Sequence, residues 1–94
     1  MRRNARPVSG TTLEQFPSDF PIKVMGRHDS DLRILTQAII ERHAGPVPDS
    51  SVRVRTSTDG NFLALTYVVR AQSRAQLDAI YRELTACKLV LMAL

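Results

Sequence analysis

Apolar and polar residues alternate with a period of two along Asp19-Phe20-Pro21-Ile22-Lys23-Val24-Met25. The alternation puts Phe20, Ile22 and Val24 on one side of an extended chain and Lys23 and Met25 on the other, which predicts a strand closed by Gly26. The period then changes. Leu32, Leu35, Ile39 and His43 recur every three or four residues, as on one face of a helix. Asp29 or Ser30 can accept hydrogen bonds from its free amides, and Gly45 and Pro46 end it. Two further runs return to period two: Val52 and Val54 between Arg53 and Arg55, and Leu63, Leu65, Tyr67 and Val69 between Phe62, Ala64, Thr66 and Val68. Asp59-Gly60 between them predicts a tight hairpin. Ser73-Arg74-Ala75-Gln76 is a capping-box pattern, and Leu77, Ile80, Tyr81 and Leu84 follow on one helical face. Residues 88–94 have strand length and no breaker.

The order β-α-β-β-α-β predicts an α+β fold, a ferredoxin-like sandwich in which a four-stranded antiparallel sheet, in order 4-1-3-2, carries both helices on one face. The other face is then open. By alternation it presents Lys23, Met25, Arg53, Arg55, Phe62, Ala64, Thr66 and Val68, with either Val90 and Met92 or Leu89 and Leu91 from the last strand. An apolar centre with basic edges on a small domain marks a surface for self-association, partner docking or a ligand.

Length and charge narrow the picture. Ninety-four residues, 44% hydrophobic and 23% charged, suit a single small domain over residues 16–94. Residues 1–15 hold Arg, Asn, Pro, Ser, Gly and Thr with little to bury, and are expected to form a flexible basic tail. No apolar run reaches the roughly 20 residues of a membrane span. No apolar segment follows the arginines at the start, so no export signal is read and a cytoplasmic location is expected. Of the net charge of +4, Arg2, Arg3, Arg6 and Glu14 already account for +2. The body is thus only mildly basic, which disfavours a dedicated nucleic-acid binder. The lone Cys87 has no internal partner for a disulfide and lies in an apolar run, which predicts a buried thiol.

Candidate chemistry is sparse. His28 and His43 stand fifteen positions apart without cysteine partners, so no metal-ligand spacing is present. His43, in the last helical turn, suits the helix dipole. Ser57 to Asn61 resembles an anion-binding loop only weakly, because no Lys-Ser/Thr follows. No Ser-His-Asp or Cys-His arrangement is found, so no catalytic residue and no cofactor are expected and the protein is read as a non-enzyme. RNA-recognition motifs share the β-α-β-β-α-β order, and Arg53, Arg55 and Arg70 beside Phe62 allow weak RNA binding as an alternative. Those motifs need aromatics on both the first and third strands, and the first offers Lys23 and Met25.

The segment Phe16 to Gly26, with Lys23-Val24-Met25-Gly26 at its end, resembles the opening signature of the YbeD-like family of small bacterial proteins of unknown function. Ile40 to Gly45, Ser57-Thr58-Asp59-Gly60-Asn61-Phe62, Leu77 to Tyr81 with Leu84, and Val90 to Leu94 follow in that family's order. The resemblance covers about residues 16–94, with Phe62 where the family pattern has Tyr. It implies an ACT-like regulatory fold that pairs through its sheet, a homodimer or a complex with a partner enzyme, and a small-molecule effector. It also implies, by association, a link to lipoate metabolism. Gly26 and Lys23 are the positions it marks for close approach of a ligand or partner.

Overall fold

The computed structural model describes residues 15–94. Among them, β1 (Ser18–Arg27), α1 (Leu32–Ala44), β2 (Val52–Thr56), β3 (Phe62–Ala71), α2 (Arg74–Ala86) and β4 (Met92–Ala93) follow in the expected order. The four strands form one sheet in the order β2-β3-β1-β4, every neighbouring pair antiparallel. This is the predicted α+β, ferredoxin-like arrangement. The basic tail expected over residues 1–15 lies, apart from Gln15, outside the described residues.

The core fills the space between the sheet and the two helices. Ile22 and Val24 of β1 and Leu65, Tyr67, Val69 and Ala71 of β3 are buried, as period two requires. Over them lie Leu32, Thr36, Ile39 and Ile40 of α1 and Leu77, Ile80 and Leu84 of α2. Removing this apolar area from water is the main drive to fold.

The face of α1 differs from the expected one. Leu35 is 42% exposed, and Thr36 takes the inward position in its place. A buried hydroxyl needs a partner, and Thr36 has two: its Oγ1 donates to the Leu32 carbonyl at 2.8 Å and lies 2.8 Å from the Tyr67 hydroxyl. With Thr36 donating to Leu32, Tyr67 donates to Thr36. Burial pushes the Tyr67 hydroxyl above its ordinary pKa, so the phenol stays neutral and ties the sheet to the helix. The expectation failed because a threonine reads as polar in a periodicity count, whereas a paired hydroxyl packs like a valine.

Helix ends follow local chemistry. Ser30 Oγ, one of the two residues expected to cap α1, accepts the Leu32 amide at 3.3 Å and donates to the Arg27 carbonyl at 2.7 Å. Asp29 instead faces the Arg27 guanidinium. At α2, Ser73 Oγ accepts the Gln76 amide at 3.1 Å, the expected half of the capping box. The other half is displaced: Gln76 Oε1 takes the Gln72 amide at 2.7 Å, and its Nε2 donates to the His43 carbonyl at the end of α1. One side chain therefore fastens the start of α2 to the end of α1.

Three expectations along the sheet need correction. Strand β1 does not close at Gly26 but runs through it to Arg27. Strand β4 is two residues long, and residues 88–91 form a turn because Val90 donates back to the Cys87 carbonyl. Val90 and Leu89 thus pack against the core, and Met92 alone of the predicted pairs lies in register with Met25 on the open face. Cys87, expected to be buried, is half-buried at the end of α2.

Candidate interaction surface

The strand register orders the open face into rows. Arg27 lies beside Phe62, Met25 between Met92 and Ala64 with Arg55 beyond, and Lys23 beside Thr66 with Arg53 beyond. Pro21 next to Val68 and Asp19 next to Arg70 complete the face. Seven of the residues expected to form an interaction surface, Lys23, Met25, Arg53, Arg55, Phe62, Ala64 and Val68, therefore stand on one side of one sheet.

Gly26, the eighth, does not. It is buried on the opposite side, where a Cβ would come within 2.5 Å of the Leu89 carbonyl oxygen and 2.8 Å of Leu32 Cδ1. Gly26 exists to let the turn after α2 and the start of α1 close onto β1. A ligand cannot reach it from the open face.

The proline in β1 also follows from position. Lys23 exchanges both backbone hydrogen bonds with Leu94, at 2.9 and 2.8 Å, so odd-numbered amides of β1 point toward β4. Pro21 lies beyond the described pairing of β1 with β4, where a residue without an N–H costs no ladder bond.

Met92 and Val68 are 49% and 42% exposed, and Phe62 is 38% exposed. Beside Phe62 a shallow hollow of about 190 Å³ is lined by Met25, Arg55, Thr56, Leu63 and Ala64. The Arg27 guanidinium lies 5.9 Å from the centre of the Phe62 ring, at the limit of a cation–π contact. Phe62 is the only aromatic on this face among the described residues, and the single ring falls short of the paired stacking platform of an RNA-recognition motif.

The loop that joins β2 and β3 spends its polar groups on itself. Gly60, at φ +80°, turns the chain and donates to the Ser57 carbonyl. Asp59 Oδ1 accepts from Ser57 Oγ at 2.7 Å and from the Asn61 amide at 3.0 Å, which holds its carboxyl below the usual range. Ser57 Oγ in turn accepts the Phe62 amide. The amides of Ser57, Gly60, Asn61 and Phe62 are thus already engaged within the loop.

On the far side, His43 does more than face the helix dipole. Its Nε2 lies 2.7 Å from Glu83 Oε2, and Arg42 pairs with the other carboxylate oxygen. These two contacts, His43 first, draw the Glu83 carboxyl below its ordinary pKa. The pairing joins α1 to α2, and nothing in the sequence spacing pointed to it. Among the described residues no group of three or more His, Cys, Asp or Glu could hold a metal ion, and no helix is long and apolar enough to cross a membrane.

The family model described as "Protein of unknown function (DUF493)" matches residues 11–94. The chain belongs to this family. It is the YbeD-like family whose signature the sequence resembles, and its members include the bacterial UPF0250 proteins. The chain is 42% identical over 83 residues to a UPF0250 protein of Ralstonia nicotianae, covering 88% of this chain and 86% of that relative. It is 49% identical over 74 residues to one from Bordetella pertussis, covering 78% and 80%. Identity to one from Nitrosomonas europaea is 36% over 83 residues, covering 88% and 95%.

Proposed function

We propose that this member of the YbeD-like family is a non-catalytic regulatory or adaptor module that works through its open sheet face, by self-association or by docking on an enzyme. One observation carries the reading: an apolar group of exposed Met92, Phe62 and Val68 with half-buried Met25, edged by Arg53 and Arg55 and interspersed with Lys23, on a face that no described element covers. Such a group is stable in water only at a cost that a partner relieves. A cytoplasmic setting, a small-molecule effector and the link to lipoate metabolism belong to this proposal through the family resemblance, and make a lipoate-attachment enzyme the first partner to try.

Affinity capture of the tagged protein from its native lysate, with sedimentation velocity of the purified chain, tests the proposal. Phe62→Asp is expected to abolish the complex or the dimer while helical circular dichroism stays unchanged. Unaltered association in that variant would exclude the open face.

A further inference from the structure

Positive charge is concentrated on the open side of the sheet. Counting side chains, the open face holds the cations Lys23, Arg27, Arg53, Arg55 and Arg70 against the one carboxylate of Asp19, a net of +4. The rest of the described chain holds five cations against seven carboxylates, a net of −2. The mild +2 of the described body thus conceals a basic sheet face, while the two helices are nearly balanced, with Arg33, Arg42, Arg74 and Arg82 against Glu41, Asp78 and Glu83, and the remaining acids lie in the connecting segments.

Pairing sharpens the contrast. Arg27 faces Asp29 and Arg70 faces Asp19. Among the described residues no carboxylate lies within salt-bridge distance of Lys23, Arg53 or Arg55, and all three are exposed. Arg53 and Arg55 project from β2, an edge strand. Their charge therefore sits at the rim of the apolar strip, where it would meet a partner first.

From this distribution we infer that the open face binds an acidic polypeptide segment with interspersed apolar side chains, and not a second copy of itself face to face. The inference rests on the interaction-module reading and names the chemistry of the partner. A two-fold pairing sets each patch against itself, which here brings net positive charge onto net positive charge with Asp19 already engaged. Like charges in such an interface cost affinity. The chain's own first fourteen residues do not answer the charge either, since Arg2, Arg3 and Arg6 outnumber Glu14. A carboxylate-rich partner satisfies Arg53 and Arg55 at the rim and Lys23 on β1, while Met25 and Met92, unbranched and pliable, take its apolar side chains. Nucleic acid would match the charge, but it would leave the methionine strip without a counterpart and find one aromatic ring to stack on.

The test uses the full chain and four fluorescent probes: a peptide as long as β3 that alternates Glu with Leu, its Lys–Leu counterpart, polyglutamate, and a single-stranded RNA of mixed sequence. Fluorescence anisotropy is expected to show the Glu–Leu peptide binding at least about tenfold more tightly than the Lys–Leu peptide and polyglutamate, weakening as salt rises. The double variant Arg53→Glu with Arg55→Glu should lose at least about tenfold in affinity, as should Met25→Asp, whereas Arg82→Glu on α2 should not. Equal binding of the two Leu-containing peptides, or tighter binding of the RNA, would overturn the inference. Sedimentation velocity separates its failure from that of the parent reading. A discrete dimer that is lost in Phe62→Asp and binds no acidic peptide would leave the interaction module standing and refute the acidic partner. Open-ended growth with concentration would refute it too, because it would mean that a different surface of one copy docks on the sheet of the next.

Discussion

The two sides of this sheet are made from the same strands and the same period-two alternation, yet only one of them is a core. On the helix side Ile22, Val24, Leu65 and Tyr67 are fully buried. On the other side Met25 and Ala64 are half-buried, and Phe62, Val68 and Met92 are exposed. Hydrophobicity alone does not separate the sides. Charge does: the helix side of β1 and β3 carries no ionisable group except the neutral, hydrogen-bonded Tyr67, whereas the open side mixes Met, Ala, Val and Phe with Lys and Arg. A core must exclude unpaired charge. A docking surface can keep charge at its rim, where it steers a partner and suppresses the wrong ones.

The sharpest way to break the comparison is to remove the same kind of contact from each side. Ile22→Ala, in the middle of β1 on the helix side, is expected to cost about 2–5 kcal/mol of unfolding free energy. Val68→Ala, on the open side, is expected to cost about 0.5 kcal/mol or less. Paired urea titrations measure both, and equal losses would mean that the open face is buried in solution.

A smaller effect is expected where the helix side admits no side chain at all. Gly26→Ala forces a methyl group against the Leu89 carbonyl and the Leu32 methyls, and is expected to lose about 1–3 kcal/mol by overpacking. Thermal unfolding checks this. A neutral result would show that the turn after α2 moves aside freely.

The smallest effect concerns charge on the helix side. The folded state holds Glu83 below its ordinary pKa of 4.5. Its pairing with His43 and Arg42 therefore contributes stability that is present above that pH and is lost as pH falls through the lowered value. In the Glu83→Gln variant that acid-side decline should be shallower, as read from unfolding midpoints between neutral pH and the acid range. The open face, whose Lys23, Arg53 and Arg55 pair with no carboxylate among the described residues, should add little to that slope.

Much of this molecule could be read from local pattern. The residues of β1 and β3 that face the helices, the face of α2 and seven of the eight proposed surface residues follow from period-two or helical spacing, because burial repeats with backbone geometry. Ser73 and Gly60 announced the start of α2 and the turn between β2 and β3 through their own side-chain chemistry, or the lack of a side chain. The shortness of β4 could not be read in this way. Residues 88–94 are apolar throughout, and an apolar run fits a strand and a buried turn equally well.

Contacts between distant segments account for the rest. Thr36 is buried because Tyr67, thirty-one positions away, supplies a hydroxyl for it to accept. Gly26 is required because Leu89 and Leu32 arrive at the same point from opposite ends of the chain. His43 meets Glu83 only once α1 and α2 lie side by side. The pairing of β2 with β3, and β3 with β1, likewise brings Arg53 and Arg55 into the row of Lys23 and Met25, turning a chain of weak net charge into a surface of strong local charge. Alternation along one strand settles which way a side chain points. Which other side chains it points beside is a property of the assembled sheet, since hydrogen-bond register relates residues that sequence separation keeps apart.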